Sequence, residues 1–232
     1  MANTGSDLTP FGAPMRQRHF GFADGYHPLN HGSFGTCPTN VLQYQRQLQE
    51  QTETQPDTFI RYTYLKLLKE ARAAVAPLLG ADTDEVVFIP NATTGVNTVL
   101  RNLDFNQDDV ILCFRSIYGA CLKTIQSIGE TNQVAAHVID ITYPLEDDEV
   151  LRSFEDSVRE LQSLGKTVKL AMFDTVLTFP GVRFPWERLV AICQKLGIRS
   201  FIDAAHGLGH IDLTNLARVG PDFLVTNCYK YG

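Results

Sequence analysis

Short apolar runs punctuate the chain at regular intervals. They read EVVFIP (85–90), DVILCF (109–114), VAAHVID (134–140), VKLAMFD (168–174), IRSFID (198–203) and DFLVTN (222–227). Each has the length of a strand, is rich in Val, Ile and Phe, and is nearly continuous rather than alternating. Continuous runs of this kind belong to strands covered on both faces, the situation inside a parallel sheet. The stretches between them carry helical spacing. In DDEVLRSFEDSVRELQSLG, Val150, Phe154, Val158 and Leu161 recur at three- and four-residue steps, and Gly165 closes the run. In PWERLVAICQKLG, Pro185 suits a first helical position. Trp186, Leu189, Val190, Cys193 and Leu196 form one face, and Gly197 ends it. Upstream, YLKLLKEARAAVAPLLG predicts a helix packing Leu65, Leu68, Ala71 and Val75. Strands alternating with helices predict an α/β fold, a mostly parallel sheet with helices on both faces.

In such sheets ligands bind beyond the carboxyl ends of the strands, so the residues following each run matter most. After the first run, Asn91, Thr93, Thr94 and Gly95 open an apolar helix. This segment can be a phosphate cup, because a helix start presents N–H groups and a positive dipole end, or it can be a plain N-cap. Tyr118, after the second run, can stack on a planar ligand or serve as a structural tyrosine. Thr178, after the fourth, can offer a hydroxyl or belong only to the Pro180-Gly181 turn. Asp203 closes the fifth run in an apolar setting, where a carboxylate needs a partner such as a protonated ring nitrogen, and His206 follows three residues on. Either could equally be a cap or a satisfied polar group. Lys230 follows the sixth run, flanked by Asn227, Tyr229 and Tyr231. A lone lysine is ordinarily a surface charge, but one in an apolar cleft loses proton affinity and attacks carbonyls. Taken in chain order, a phosphate cup, a stacking ring, an acid for a pyridinium nitrogen and a lysine amine are what pyridoxal phosphate chemistry requires.

Composition narrows the rest. The 232 residues are 44% hydrophobic and 20% charged, ordinary for a globular chain. A net charge of −6 without a basic cluster argues against nucleic acid as partner. No apolar stretch approaches the roughly 20 residues of a membrane helix, and the first twenty residues lack a signal pattern. They are expected to form a flexible arm. The cysteines at 37, 113, 121, 193 and 228 include no CxxC pair and are odd in number, so neither a disulfide framework nor a metal site is expected. Cys113 and Cys193 read as core thiols, and a cytoplasmic location fits.

NATTGVN, DAAHGLGH and TNCYK resemble the phosphate, pyridinium and lysine segments of the class V aminotransferase-like family of pyridoxal 5'-phosphate enzymes, which share the aspartate aminotransferase fold. LNHGSFGTCP, NATTGVNTVLRNL, YGACLKTI and PGVRFPWE resemble more narrowly its isopenicillin N epimerase-like branch, and within it fungal ergothioneine-pathway lyases that cleave a hercynylcysteine sulfoxide C–S bond. The resemblance implies that Lys230 holds the cofactor as an internal aldimine and that Asp203 pairs with the ring nitrogen. Thr93, Thr94 and Asn227 would hold the phosphate, Tyr118 would lie against the ring or assist proton transfer, and Thr178 and His206 would reach the ring hydroxyl. Tyr229, beside the lysine, stands where the family commonly has His, and Tyr231 where it has Trp. Asn30, His31, Ser33 and Phe34 would border a small amino-acid substrate, with Arg61. The implied reaction is β-elimination from a cysteine-derived sulfoxide; an epimerase or aminotransferase reaction at the same lysine is the alternative. Relatives in the family continue past the lysine. The chain is therefore expected to comprise an arm (1–28) and a partial cofactor-binding large domain (29–232), truncated before a further strand and the small domain. An inactive fragment is the corresponding expectation for the chain alone, and a homodimer for the full-length protein.

Overall fold

The structure, a computed structural model, describes residues 8–132 and 134–231. The first seven residues of the expected arm lie outside the described residues. The chain divides into two compact units, Met1–Ala71 and Arg72–Gly232.

The first unit is helical. It holds α1 (Ala13–His19), α2 (His31–Phe34), α3 (Thr39–Thr54), α4 (Pro56–Thr58), a π-helical turn over Phe59–Thr63 and the first part of α5 (Tyr64–Val75). Local ties join its pieces. The Thr39 hydroxyl donates to the His19 carbonyl at 3.3 Å, and the Phe20 ring packs on Phe22 (centroids 5.6 Å apart) and edge-on to His31 (6.2 Å). The four-residue face expected on α5 is covered only in part: Leu65 and Ala71 are exposed, while Leu68 and Val75 are half-buried. Apolar spacing reports which residues share a face, not whether anything covers it.

The second unit contains a parallel sheet of β1 (Asp109–Phe114), β2 (Ala135–Ile139), β3 (Thr167–Asp174), β4 (Arg199–Ala204) and β5 (Phe223–Thr226), in the order β2-β1-β3-β4-β5. Its helices are the remainder of α5, α6 (Ala92–Arg101), α7 (Gly119–Thr131), α8 (Asp147–Ser163), α9 (Trp186–Leu196) and the single turn α10 (Leu216–Val219). Pleating sends alternate side chains to opposite faces. Val110, Leu112 and Phe114 of β1, Phe173 of β3 and Ile202 of β4 join the core that holds Val150, Phe154 and Val158 of α8 and Trp186 and Leu189 of α9. Ile111, Cys113, Leu170, Met172 and Phe201 join the opposite core, with Val96 and Leu100 of α6 and Cys121, Ile125 and Ile128 of α7. Every residue of β1 is buried, as its unbroken apolar run requires. Cys113 and Cys193 are core thiols as expected, and burial pushes both up to about 12. The predicted helix after Pro185 forms with Trp186, Leu189, Val190 and Cys193 buried. Its fifth predicted contact, Leu196, is 39% exposed, and Gly197 ends the helix at φ 69°, where a side chain would be strained.

One predicted strand is absent. Residues 85–90 pair with no strand among the described residues, so the sheet has five strands rather than six. The segment follows a 3-10 turn, Thr83–Glu85, held by a reciprocal cap between Asp82 and Glu85, and leaves it extended at Val86. Val87 is 71% exposed and Phe88 45%, while Ile89 packs on the core that includes α6. Apolar content gave the segment strand character, but membership of a sheet needs a hydrogen-bonding neighbour. Val87→Lys is accordingly expected to change the chain's unfolding free energy by no more than about 0.5 kcal/mol in urea titration, the range of surface substitutions. A loss of several kcal/mol would show that Val87 is covered in solution.

Candidate active site

The carboxyl ends of β3, β4 and β5 converge on one polar cluster. β3 and β4 run in register, with Asp174 beside Asp203, and the Thr175 N–H donates to the Asp203 carbonyl at 3.0 Å. Strand parity turns both carboxylates toward the face covered by α6 and α7. Asp203 is 5% exposed. One carboxylate oxygen accepts the Ala205 N–H at 2.9 Å and the other the Cys121 thiol of α7 at 3.5 Å. Burial raises the Asp203 carboxyl above its ordinary range, against the lowering effects of the Ala205 and Cys121 hydrogen bonds and of His206 and Lys230. Asp174 is more deeply buried, 3% exposed, and neither of its oxygens has a hydrogen-bond partner; nor has the Thr175 hydroxyl. Desolvation, reinforced by the charge of Asp203, pushes the Asp174 carboxyl well up, and Lys230 opposes this.

Lys230 and His206 meet above these acids, Nζ to Nε2 at 2.9 Å. A neutral imidazole with its proton on Nδ1 can accept from the lysine at Nε2. Burial lowers both groups: the His206 pKa falls through desolvation and then the nearby lysine charge, and the Lys230 pKa falls through desolvation, partly offset by Asp203 and Asp174. A lysine amine that sheds its proton more easily is a carbonyl nucleophile at lower pH than a surface lysine.

The start of α6 adjoins the end of β5. Asn91 caps the helix, its side-chain oxygen accepting the Thr94 N–H at 2.8 Å and the Thr94 hydroxyl at 3.1 Å. The buried Asn227 accepts the Ala92 N–H at 3.3 Å. Two N–H groups that the sequence left free for a phosphate are thus already engaged. The N-cap geometry is present, and Thr93 is half-buried in the first turn. Gly95 has a different use from the one expected. A Cβ on it would come within 2.4 Å of Ile89 and 2.6 Å of Val225, so it permits close helix–strand packing rather than approach to a ligand.

The structure places the other predicted residues as follows. Tyr118 is the N-cap residue of α7 and 48% exposed. Thr178 is exposed near the tip of a hairpin turn closed by the Val176–Arg183 bridge. Tyr229 is 58% exposed, and Tyr231 packs on His210 at 4.9 Å between ring centroids. Asn30, His31, Ser33, Phe34 and Arg61 belong to the first unit, where Asn30 precedes α2 and Arg61 sits in the π-helical turn. Sequence reasoning missed Asp174 and Cys121. Asp174 carried the same signal as Asp203, an acid closing an apolar strand; Cys121 carried none beyond its place one turn after Tyr118.

A family model for aminotransferase class V matches residues 38–231. The chain belongs to the class V aminotransferase family. Enzymes of this family use pyridoxal 5'-phosphate. Among curated relatives, the L-cysteine desulfhydrase-like protein lolT1 of Epichloe uncinata is 34% identical over 97% of this chain and 49% of its own length. The hercynylcysteine sulfoxide lyase of Schizosaccharomyces pombe is 36% identical over 95% of this chain and 55% of its own. The chain thus spans about half the length of the curated relatives it matches. The solved cystine C–S lyase C-DES, in complex with its reaction product cysteine persulfide, superposes with a TM-score of 0.77 at 21% identity, over 87% of this chain and 53% of that one. At that identity the likeness is one of fold, and it agrees with the predicted α/β class.

A carboxyl whose folded pKa is raised holds its proton to higher pH in the fold than in the unfolded chain. The fold therefore loses stability as pH rises above the unfolded value of about 3.9. Asp174→Asn is expected to flatten that loss and raise the melting temperature at neutral pH, read by thermal melts across the acid range. A lower melting temperature at neutral pH would mean that Asp174 is ionised and compensated.

Proposed function

We propose that the protein to which this chain belongs is a pyridoxal 5'-phosphate-dependent C–S lyase acting on a cysteine-derived amino acid, with hercynylcysteine sulfoxide as the substrate favoured by the sequence motifs. The observation that carries the reading is a lowered-pKa lysine, Lys230, held against His206 and within electrostatic reach of the buried Asp203, after adjoining strand ends of a class V chain. The residues fit the cofactor's chemistry. The amine suits its aldehyde, the acid suits its ring nitrogen, and Thr93, Thr94 and Asn227 gather hydroxyl and amide groups at a helix start suited to its phosphate.

The cofactor, when bound, supplies an electron sink for a carbanion at the substrate Cα. This chain's residues do the rest. Lys230 would hold the cofactor through its Nζ, and the same amine would take the Cα proton. His206, its Nε2 2.9 Å from that Nζ, would keep it oriented. Asp203 fixes a positive ring nitrogen in a site where water cannot compete, and such preorganised charge is usually the largest single contribution to rate. Tyr118 would lie against the cofactor ring, and Thr178 would offer it a hydroxyl. Loss of the sulfur substituent from Cβ then distinguishes a lyase from an epimerase, which returns the proton to Cα, and from an aminotransferase, which moves it to the cofactor. We assign the substrate border to Asn30, His31, Ser33, Phe34 and Arg61, and the working unit to a cytoplasmic homodimer.

Borohydride reduction of the full-length protein with pyridoxal phosphate is expected to label Lys230, and Lys230→Ala to abolish the label; a label mapped to Lys123 or Lys195 would overturn the assignment. Asp203→Ala is expected to retain the cofactor but lose roughly 100-fold or more in turnover. Pyruvate release from a cysteine sulfoxide supports the lyase. Racemised substrate without pyruvate, or amino transfer to a keto acid, would replace it with the epimerase or aminotransferase reading.

A further inference from the structure

The buried acid that the reading above leaves unused is Asp174. Three observations make it more than a core residue. Its Cα is the register partner of Asp203 on the adjacent strand, and neighbouring strands lie only about 4.8 Å apart. It is almost wholly buried, yet both carboxylate oxygens lack a partner. Beside it the Thr175 hydroxyl, fully buried, is likewise unpartnered. A polar group buried without a hydrogen bond is destabilising, so a cluster of them marks a place organised for something other than packing.

We propose that Asp174 is a positioning residue of the cofactor site, a neutral carboxylic acid beside Asp203 that keeps the pair at a single negative charge, carried by the Asp203 carboxylate that would face the ring nitrogen. The proposal rests on the pyridoxal phosphate reading for its purpose but not for its geometry. Two ionised carboxylates at this spacing, both out of water, repel strongly, and one of such a pair retains its proton. The surroundings assign it to Asp174. Asp203 has the Ala205 N–H and Cys121 S–H as donors, whereas Asp174 has none. The groups facing the pair are Cys113 of β1 and Cys121 of α7, whose thiols are raised by burial and stay neutral, and His206 and Lys230 beyond β4 and β5. The lysine charge acts on both acids. The acid thus acts through Asp203 and need not touch the ring.

The test reads the proton directly. Infrared difference spectra of the chain without cofactor are expected to show a protonated carboxylic acid C=O band at neutral pH. The band is lost in Asp174→Asn, and in Asp203→Asn it titrates at lower pH, because the charge that holds the proton is gone. With pyridoxal phosphate added, Asp174→Asn keeps a neutral donor and is expected to bind within about 3-fold of the unsubstituted chain. Asp174→Val, which removes the donor, is expected to weaken binding about 10-fold or more, the size of a hydrogen bond to a charged group. Should either variant fail to fold, the infrared titration of the Asp203→Asn chain still decides. No acid band at neutral pH, a band unaltered by Asp203→Asn, or equal binding by the Asn and Val variants would each overturn the proposal. If the unsubstituted chain shows the acid band and its Asp203 dependence but takes up no pyridoxal phosphate, the cofactor reading fails and the coupled acid pair stands.

Discussion

The in-register parallel pairing of β3 with β4 is the constraint on which the rest of the site depends. Both strands are covered on two faces by different side chains, so a slide of one residue would swap Leu170, Met172 and Phe201 with Ala171, Phe173 and Ile202 between the two cores and turn the terminal acids to the other face. That fixed register lays Asp174 next to Asp203 and delivers both to the carboxyl edge of the sheet, on the side of α6 and α7. The carboxylates could not be tolerated there without compensation. The Ala205 amide, the Cys121 thiol, Lys230 and His206 answer the charge that burial makes costly.

The same geometry explains why the lysine is chemically useful. Lys230 follows a short strand, β5, that pairs only with β4 within the described sheet, and the Asn227 side chain ties the residues before it to the start of α6. The helix start, the strand end and the amine are therefore placed together by one packing arrangement, for which Gly95 gives α6 room against Val225. Burial pulls the amine toward neutrality while the two acids pull it back, and the Nε2 acceptor of His206 aims it.

Much of this was legible in the sequence. Unbroken Val-, Ile- and Phe-rich runs specify strands buried on both faces, and the runs at 109–114, 168–174 and 198–203 form the centre of the sheet, because continuous apolarity has only one stable setting in a mixed chain. Asp203 and Lys230 stood out as charges at the ends of such runs, where burial must be answered chemically. What the sequence could not contain was anything that depends on a neighbour distant in the chain. EVVFIP is as apolar as the other runs, yet it stays outside the sheet for want of a ladder partner. Gly95 suggested a ligand and instead admits a strand. Leu196 matched its helix face and is still 39% exposed. Only the tertiary structure decided that Asp174 lies beside Asp203, that Cys121 reaches the same carboxylate, and that His206 accepts from Lys230. Those are relations of register and packing between segments up to 82 residues apart, and local pattern carries no term for them.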